Sequence, residues 1–362
     1  MTKEELFSLK IDKPDREIHA RIKADFDALA KPIDGMGDLE TMLCGIGAMK
    51  RQVPKNLSKK VLVVFCADTD VVEEGVSQTG KEVTRQVAEL LGEKKSTVAI
   101  LTKDYPLEIL PVDIGIDCDD EIAGVWNRKV KKGAGNIAKE SAMTQEEALR
   151  ALEAGMEAAK YCAKEGYEIA ATGEMGIGNT TTSTAFYCAV TGEDPVEITG
   201  RGAGLSDEGL KKKTEVVKAA LALHGFACGK EASDRDSVLG ALCSVGGLDI
   251  AGLTGFYIGC AVEHIPVVID GFISAVSALA AEYLVPGTKE YMIASHKGRE
   301  RGCMGCLQRL GLHPVIDANM ALGEGTGAVL LFPILDMIFN LYQSGTTFLD
   351  ASIGQYERFT KE

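Results

Sequence analysis

At 362 residues and 38.6 kDa the chain is long enough for one large core or for two domains sharing a seam. Its 39 Lys plus Arg against 53 Asp plus Glu leave a formal charge of -14, which argues against a nucleic-acid scaffold, since backbone phosphates want a cationic face. With 46% hydrophobic and 25% charged residues the composition is that of an ordered globular chain, and a small anionic substrate, needing only a few local donors, stays open.

The N-terminal MTKEELFSLKIDKPD carries charges throughout and has no apolar h-region, so secretion is not expected. No stretch reaches the roughly 20 apolar residues of a membrane span; VLLFPILDMIF is interrupted by Asp336. The ten cysteines are scattered among apolar and small residues, which reads as reduced, buried thiols in a cytoplasmic protein.

Along the chain, 15–50 reads as helical, with Ile18, Ile22, Phe26 and Leu29 on one face and a break from Pro32 to Gly37. VLVVFCAD (61–68) has the look of a central parallel strand whose carboxyl end borders a site. KEVTRQVAELL (81–91) is the following helix, and STVAILTKD (96–104) and the PVDIGIDCD segment are read as further short strands. Thr144 with Glu147 opens a long helix as a capping box. A short strand, a glycine-rich turn and a small-residue helix follow over 167–189, then a helix at LKKKTEVVKAALALHG. Strands are expected at HIPVVIDGF and YMIASHKG, and a closing turn and helix at ALGEGTGAVLLFPILDMIFNLY.

The repeated strand, turn and helix predict an α/β fold of three layers, α/β/α, with a mostly parallel sheet and a small, mainly helical accessory domain. Residues 1–50 are assigned to the accessory domain, 51–340 to the catalytic core, and 341–362 to a tail packing with the accessory domain.

Three glycine-rich turns are the candidate chemistry. In the first, Gly173 to Thr182, Gly176 and Gly178 allow a tight turn, and Asn179 and Thr180 open a helix. This makes either a phosphate cradle of backbone amides or simply a close strand–helix contact. It is neither a GK[ST] phosphate loop nor the GxGxxG fingerprint. The second turn, Thr199 to Leu205, contains Gly202 and precedes Lys211, Lys212 and Lys213; such a run is normally solvated, though one lysine beside two glycine turns suits a phosphate. The third, Leu322 to Ala328, isolates Glu324 between glycines, as a helix cap or as a base at a loop tip. Glu174 is its analogue in the first turn, and the pair points to one acid–base or orienting site. Cys303 and Cys306 lack a second ligand pair for zinc and read as helical packing or a surface thiol. His264 and His296 each lie near a strand end, within reach of a substrate. Neither Trp126 nor the basic run from Arg128 to Lys132 makes a nucleic-acid surface.

Together these motifs resemble the nicotinate-nucleotide:dimethylbenzimidazole phosphoribosyltransferase family. The resemblance runs over about 20–350 and rests on ADTDVVEEGVS (67–77), SAMTQEEA (141–148), TGEMGIGNTTTSTA (172–185), TGRGAGLSDEGLKKK (199–213), VGGLDIAG (245–252), PVVIDGFISA (266–275), ASHKG (294–298) and LGEGTGA (322–328). It implies a homodimer that moves phosphoribose from nicotinate mononucleotide, a substrate rather than a cofactor, to a base nitrogen with inversion. No metal, nucleic acid or membrane partner is implied. The family's base corresponds to Glu324; Glu174 and Lys213 lie in active-site motifs, the turns at Gly176, Gly178 and Gly202 hold phosphate, and Asn179, Thr180, Leu322 and Thr79 complete the substrate set.

The chain departs from the family pattern at Asp68-Thr69-Asp70 and at Gly302-Cys303, where relatives carry a histidine, and at Gln78-Thr79-Gly80 near the base pocket. These departures bear on which base is accepted, and place Thr69, Asp70 and Thr79 near the acceptor or just behind it. Two other readings compete: an ATP-dependent small-molecule kinase, weakened by the missing ATP loop, and a non-catalytic mononucleotide-binding protein, disfavoured by an intact Glu324.

Overall fold

Thr2 opens the first helix with a capping box: its hydroxyl accepts the Glu5 amide, and the Glu5 carboxylate accepts the Thr2 amide. In the computed structural model, which describes residues 1–359, this helix α1 (Lys3–Ser8) is followed by α2 (Arg16–Asp27), started by the Asp15 carboxylate on the amides of Glu17 and Ile18. The chain breaks over Pro32–Gly37 as its sequence predicts and resumes as α3 (Asp38–Met49). β1 (Lys60–Ala67) is buried along its whole length, and α4 (Glu82–Gly92) follows.

The segment read as a strand at 96–104 is instead a short helix, α5 (Thr97–Leu101). Its β-branched residues favour a strand, but Ser96 accepts the Ala99 amide and stops the chain from extending. The strand forms later, as β2 (Leu107–Gly115), with β3 (Trp126–Asn127) beside it. The predicted capping box of Thr144 and Glu147 starts α6 (Gln145–Glu165), and β4 (Ile169–Met175) and α7 (Asn179–Thr191) flank the first glycine turn. Then come α8 (Pro195–Ile198), α9 (Asp207–Leu223), α10 (Arg235–Val245), α11 (Leu248–Val262), β5 (Val267–Ile269), α12 (Phe272–Leu284), β6 (Met292–Ala294), α13 (Arg301–Leu310) and α14 (Thr326–Ser344). Periodicity gives little sign of α11 and α12, because they are buried nearly all round and carry no polar stripe.

The six strands pair in the order β3-β2-β1-β4-β5-β6, every pair parallel. Side chains alternate across this sheet. Val61, Val63 and Phe65 meet the layer containing α6, α7 and α10 to α13, whereas Leu62, Val64 and Cys66 meet α2, α3 and α14. The three-layer expectation is met, with a sheet that is parallel throughout. Strand order reverses at β1, which sends β2 to one side and β4 to the other. In a parallel sheet, that is where the strand ends leave a crevice for a ligand.

On the β1 side, α14 continues through Pro333 and Asp336. It is 19 residues long and apolar enough to cross a membrane by length and composition, contrary to the sequence expectation, yet half of it is buried inside the protein. After it the chain returns to α2: the Ala30 amide donates to Thr346 O (2.8 Å) and the Phe348 amide to Ala28 O (3.0 Å). Asp27, Asp34 and Glu40 lie together there, and Lys23, Lys31 and Arg358 supply their countercharges. Cations of the chain itself fill the place a metal would take.

Candidate active site

The carboxyl ends of β4, β5 and β6, residues 76–78 of the loop after β1, the turn at Gly202 and the turn before α14 enclose a cleft of about 210 Å³. It brings together Glu174, Gly176, Gly178, Asn179, Thr180, Gly202, Leu322 and Glu324, all singled out in the sequence. Thr79 does not line it; Ser77 and Gln78, just before it, do, and Thr79 is exposed. Thr69 lies behind the wall, its methyl group 3.2 Å from where a Cβ on Gly178 would sit. Asp70 pairs with Lys81 at 2.6 Å, away from the lining. His296 lines the cleft; His264 instead stacks edge-on against Tyr291. Cys303 and Cys306 are buried on α13, so the packing alternative applies to both.

Backbone geometry explains the third turn. Gly323, Glu324 and Gly325 have φ of 94°, 57° and 80°, three consecutive left-handed residues, of which only the glycines adopt the conformation without a side-chain penalty. The turn presses against β4: a Cβ on Gly173 would come within 2.7 Å of the Glu324 carbonyl carbon. The Glu324 amide donates to Glu174 O at 3.2 Å, and the Glu324 carboxylate Oε2 accepts the Val98 amide at 3.0 Å. Glu324 is thus fixed at one oxygen, with its side chain in the cleft wall.

Glu174 differs in environment. Its Oε2 accepts an N–H of the Asn179 amide, whose nitrogen also donates to Asp249 Oδ2 at 2.9 Å. Both amide protons of Asn179 are therefore spent on protein carboxylates, and its side chain orients Glu174 rather than reaching outward. Burial pushes the Glu174 carboxyl up to about 8 despite the Asn179 hydrogen bond, with Asp249, Asp270 and Glu324 adding repulsion. Asp249, on the first turn of α11, is held at about 6, again mainly by burial. At neutral pH Glu174 carries its proton and is a donor.

The cradle is only partly a nest of amides. The Ile177 amide donates to Thr84 Oγ1 (3.1 Å), Asn179 to Gly176 O (3.2 Å) and Thr181 to Gly178 O (2.9 Å). The N-terminus of α14 is also occupied, because Asp270 Oδ1 accepts the amides of Gly327 and Ala328 at 2.8 and 3.0 Å. Burial pushes Asp270 up, with His296 opposing. Lys213 does not line the cleft but lies just behind Thr180 and Gly202, which do. Its side chain is fully buried from solvent, its ammonium donates to Thr180 Oγ1 at 2.6 Å, and it lies 3.3 Å from a Cβ position on Gly202. Burial lowers it to about 8, opposed by Glu300. Among the described residues no carboxylate pairs with Lys213 within salt-bridge distance, so the run that reads as a solvated face delivers one buried charge that lacks an ion-pair partner.

Glu300, Asp270 and Arg299 also line the cleft; Asp270 lies within the PVVIDGFISA motif, though it does not stand out there, and Glu300 and Arg299 carry no sequence signal. The order of β5 and β6 in the sheet brings all three here.

Known proteins share this architecture. A profile of the family described as Phosphoribosyltransferase matches residues 11–353. A relative from Acetivibrio thermocellus, named nicotinate-nucleotide–dimethylbenzimidazole phosphoribosyltransferase, is 40% identical over 336 residues, covering 93% of this chain and 94% of its own length. One of the same name from Clostridium acetobutylicum is 38% identical over 343 residues, covering 95% and 96%. The crystal structure of CobT from Thermus thermophilus superposes with a TM-score of 0.86 at 35% identity, over 94% of this chain and all of that one.

Proposed function

The chain belongs to the nicotinate-nucleotide–dimethylbenzimidazole phosphoribosyltransferase family, and from that premise we propose that the cleft holds nicotinate mononucleotide with its phosphate at Lys213 and its reacting end between Glu174 and Glu324. The observation that carries this reading is the joining of two unlike carboxylates in a single cleft at the strand-order reversal, with one buried ammonium that lacks an ion-pair partner just behind its wall, on Thr180 and beside Gly202.

The chemistry follows from the substrates. The lone-pair nitrogen of dimethylbenzimidazole, or of a related base, attacks C1′ of the ribose. The bond from C1′ to the pyridinium nitrogen breaks, and its electron pair neutralises that nitrogen, so nicotinate leaves without a protein acid. The acceptor becomes cationic until its N–H proton departs, and the Glu324 carboxylate takes that proton. Products are nicotinate and an α-ribazole-type 5′-phosphate, the lower-ligand precursor of a cobamide. The step balances without a metal or redox cofactor.

Glu174 serves a different purpose. Protonated and anchored by Asn179, it offers a hydrogen bond and leaves Glu324 as the base, so environment separates two carboxylates of the same kind. Lys213 and Thr180 supply the donors for the phosphate.

The protein acts as a homodimer in this reading. The outer faces of α5 and α14, which pack on each other, expose Ile100, Leu101 and Met337 and suit a second copy. The ten free cysteines, eight of them buried, accord with a reducing cytoplasm.

The test is incubation of the purified protein with nicotinate mononucleotide and a panel of benzimidazoles, purines and phenols, with and without ATP, read by mass spectrometry. A base nucleotide plus nicotinate, formed without ATP, supports the proposal. Phosphorylation that needs ATP, or binding without any product, overturns it.

A further inference from the structure

We propose that Glu300 is the acceptor for the ribose hydroxyls: its carboxylate, in the cleft beside the turn that faces Lys213, binds the cis-diol of the phosphoribosyl group. The inference rests on the phosphoribosyl-transfer reading and adds a residue to it.

The turn from Thr199 to Gly204 has a charge on each of two positions. At Gly202 the neighbour is the Lys213 ammonium, 3.3 Å from the Cβ position. At Gly200, two residues earlier, a Cβ would collide with the Glu300 carboxylate. Glycine at 200 is therefore what lets that carboxylate lie flat against the backbone. Glu300 is the charge whose field Lys213 feels, yet the two are not within salt-bridge distance. A carboxylate and an ammonium at neighbouring points of one turn, held apart, leave space for a ligand that accepts at one end and donates at the other. Phosphoribose has that polarity: a phosphate that accepts, and hydroxyls one short linkage away that donate.

Chemistry selects Glu300 among the acids of the cleft. Glu324 has one oxygen on the Val98 amide, Glu174 has one on Asn179, and Asp270 caps α14. Among the described residues Glu300 has no side-chain hydrogen bond or ion pair, although it sits at the residue before α13 where a cap is usual. Both oxygens are free, and an ionised carboxylate is acceptor-only, so it can receive two hydroxyls at once.

The experiment measures turnover and calorimetric binding of nicotinate mononucleotide and its 2′-deoxy and 3′-deoxy analogues for wild type, Glu300→Gln and Glu300→Ala. A hydrogen bond to a charged acceptor predicts that wild type prefers the ribose compound by roughly 10- to 150-fold over a deoxy analogue. In Glu300→Ala the ribose compound loses both hydrogen bonds and each deoxy analogue only the one it keeps, so KM and Kd rise further for the ribose compound by a similar factor and the preference collapses; Glu300→Gln, with one acceptor left, falls between.

An undiminished preference in Glu300→Ala overturns the assignment, and so does an equal loss for both compounds, which would make Glu300 only a distant countercharge for Lys213. A wild type that shows the Glu300-dependent preference in binding but forms no product overturns the reaction and keeps the assignment. A wild type that transfers phosphoribose without any ribose preference does the reverse.

Discussion

The Glu324 carboxylate and the Val98 amide meet at 3.0 Å across 226 residues of chain. One oxygen of the proposed base is thereby fixed on α5, and the second stays available to an acceptor. The glycines on either side allow the left-handed turn that points the side chain there, so side-chain and backbone constraints act on the same carboxylate.

Replacing Glu324 by Gln keeps the size and keeps an oxygen for Val98 but removes the base. Turnover at saturating substrates is expected to fall by at least ~100-fold, within the ~100–10000-fold, or about 3–5.5 kcal/mol, typical of a general base. Circular dichroism and mononucleotide binding should stay near wild type. Single-turnover measurement on both proteins keeps slow product release from hiding the effect; an unchanged chemical step would remove Glu324 from the role.

Lys213→Ala should raise the KM for nicotinate mononucleotide by roughly 10- to 150-fold with little change in that for the base, as expected for a lost charge-assisted hydrogen bond. Since Lys213 loses its proton near pH 8, wild-type affinity for the mononucleotide should weaken as pH rises beyond 8. The alanine variant should lack that limb. Calorimetry from pH 6.5 to 9.5 reads both.

Glu174 gives a stability prediction. Its ordinary value is 4.5 and burial raises it to about 8 in the fold, so between those values the folded chain holds more protons than the unfolded one. Stability carried by this proton is complete below about 4.5 and is lost as pH climbs to 8. Glu174→Gln should flatten the decline: its melting temperature relative to wild type improves from pH 5 to pH 8. Asp249, held at about 6 by the same sign, leaves a residual slope below pH 6. An equal decline in both proteins would show that Glu174 is ionised throughout.

Where α6 and α11 touch, a Cβ on Gly255 would strike the Leu152 carbonyl, and one on Gly155 the Gly252 carbonyl. Backbone oxygen cannot swing aside, so Gly255→Val should cost about 2 kcal/mol or more. A lower urea midpoint with an unchanged slope would show it.

Met337→Glu combined with Ile100→Glu places charge on the exposed apolar face of α14 and α5. Sedimentation should shift from dimer toward monomer, with the melting temperature of the monomer little changed. A dimer that persists would place the contact elsewhere.

The strand, turn and helix rhythm was legible because parallel strands are continuous apolar runs and their turns are rich in glycine. α5 was not: Thr97, Val98 and Ile100 favour a strand locally, and only Ser96 and the packing on α14 reverse that preference. Glu174 and Glu324 stand out as lone carboxylates among glycines, whereas Asp249 and Asp270 sit in motifs without that isolation, and Glu300 comes to the cleft only through strand order. The lysine run showed its charge but not which lysine turns inward; Val216 and Val217 set that register by burying the same face of α9 as Lys213.

The face of β1 that meets α2, α3 and α14 carries a consequence for synthesis. Leu62, Val64 and Cys66 are covered in part by α2 and α3, made before them, and in part by α14, which begins at Thr326. At roughly 5–20 residues per second, that apolar face waits on the order of 10–50 s on the ribosome for its last cover. Truncations that stop before α14, or nascent chains stalled there, should therefore present an open hydrophobic sheet to chaperones, while chains that include α14 close it.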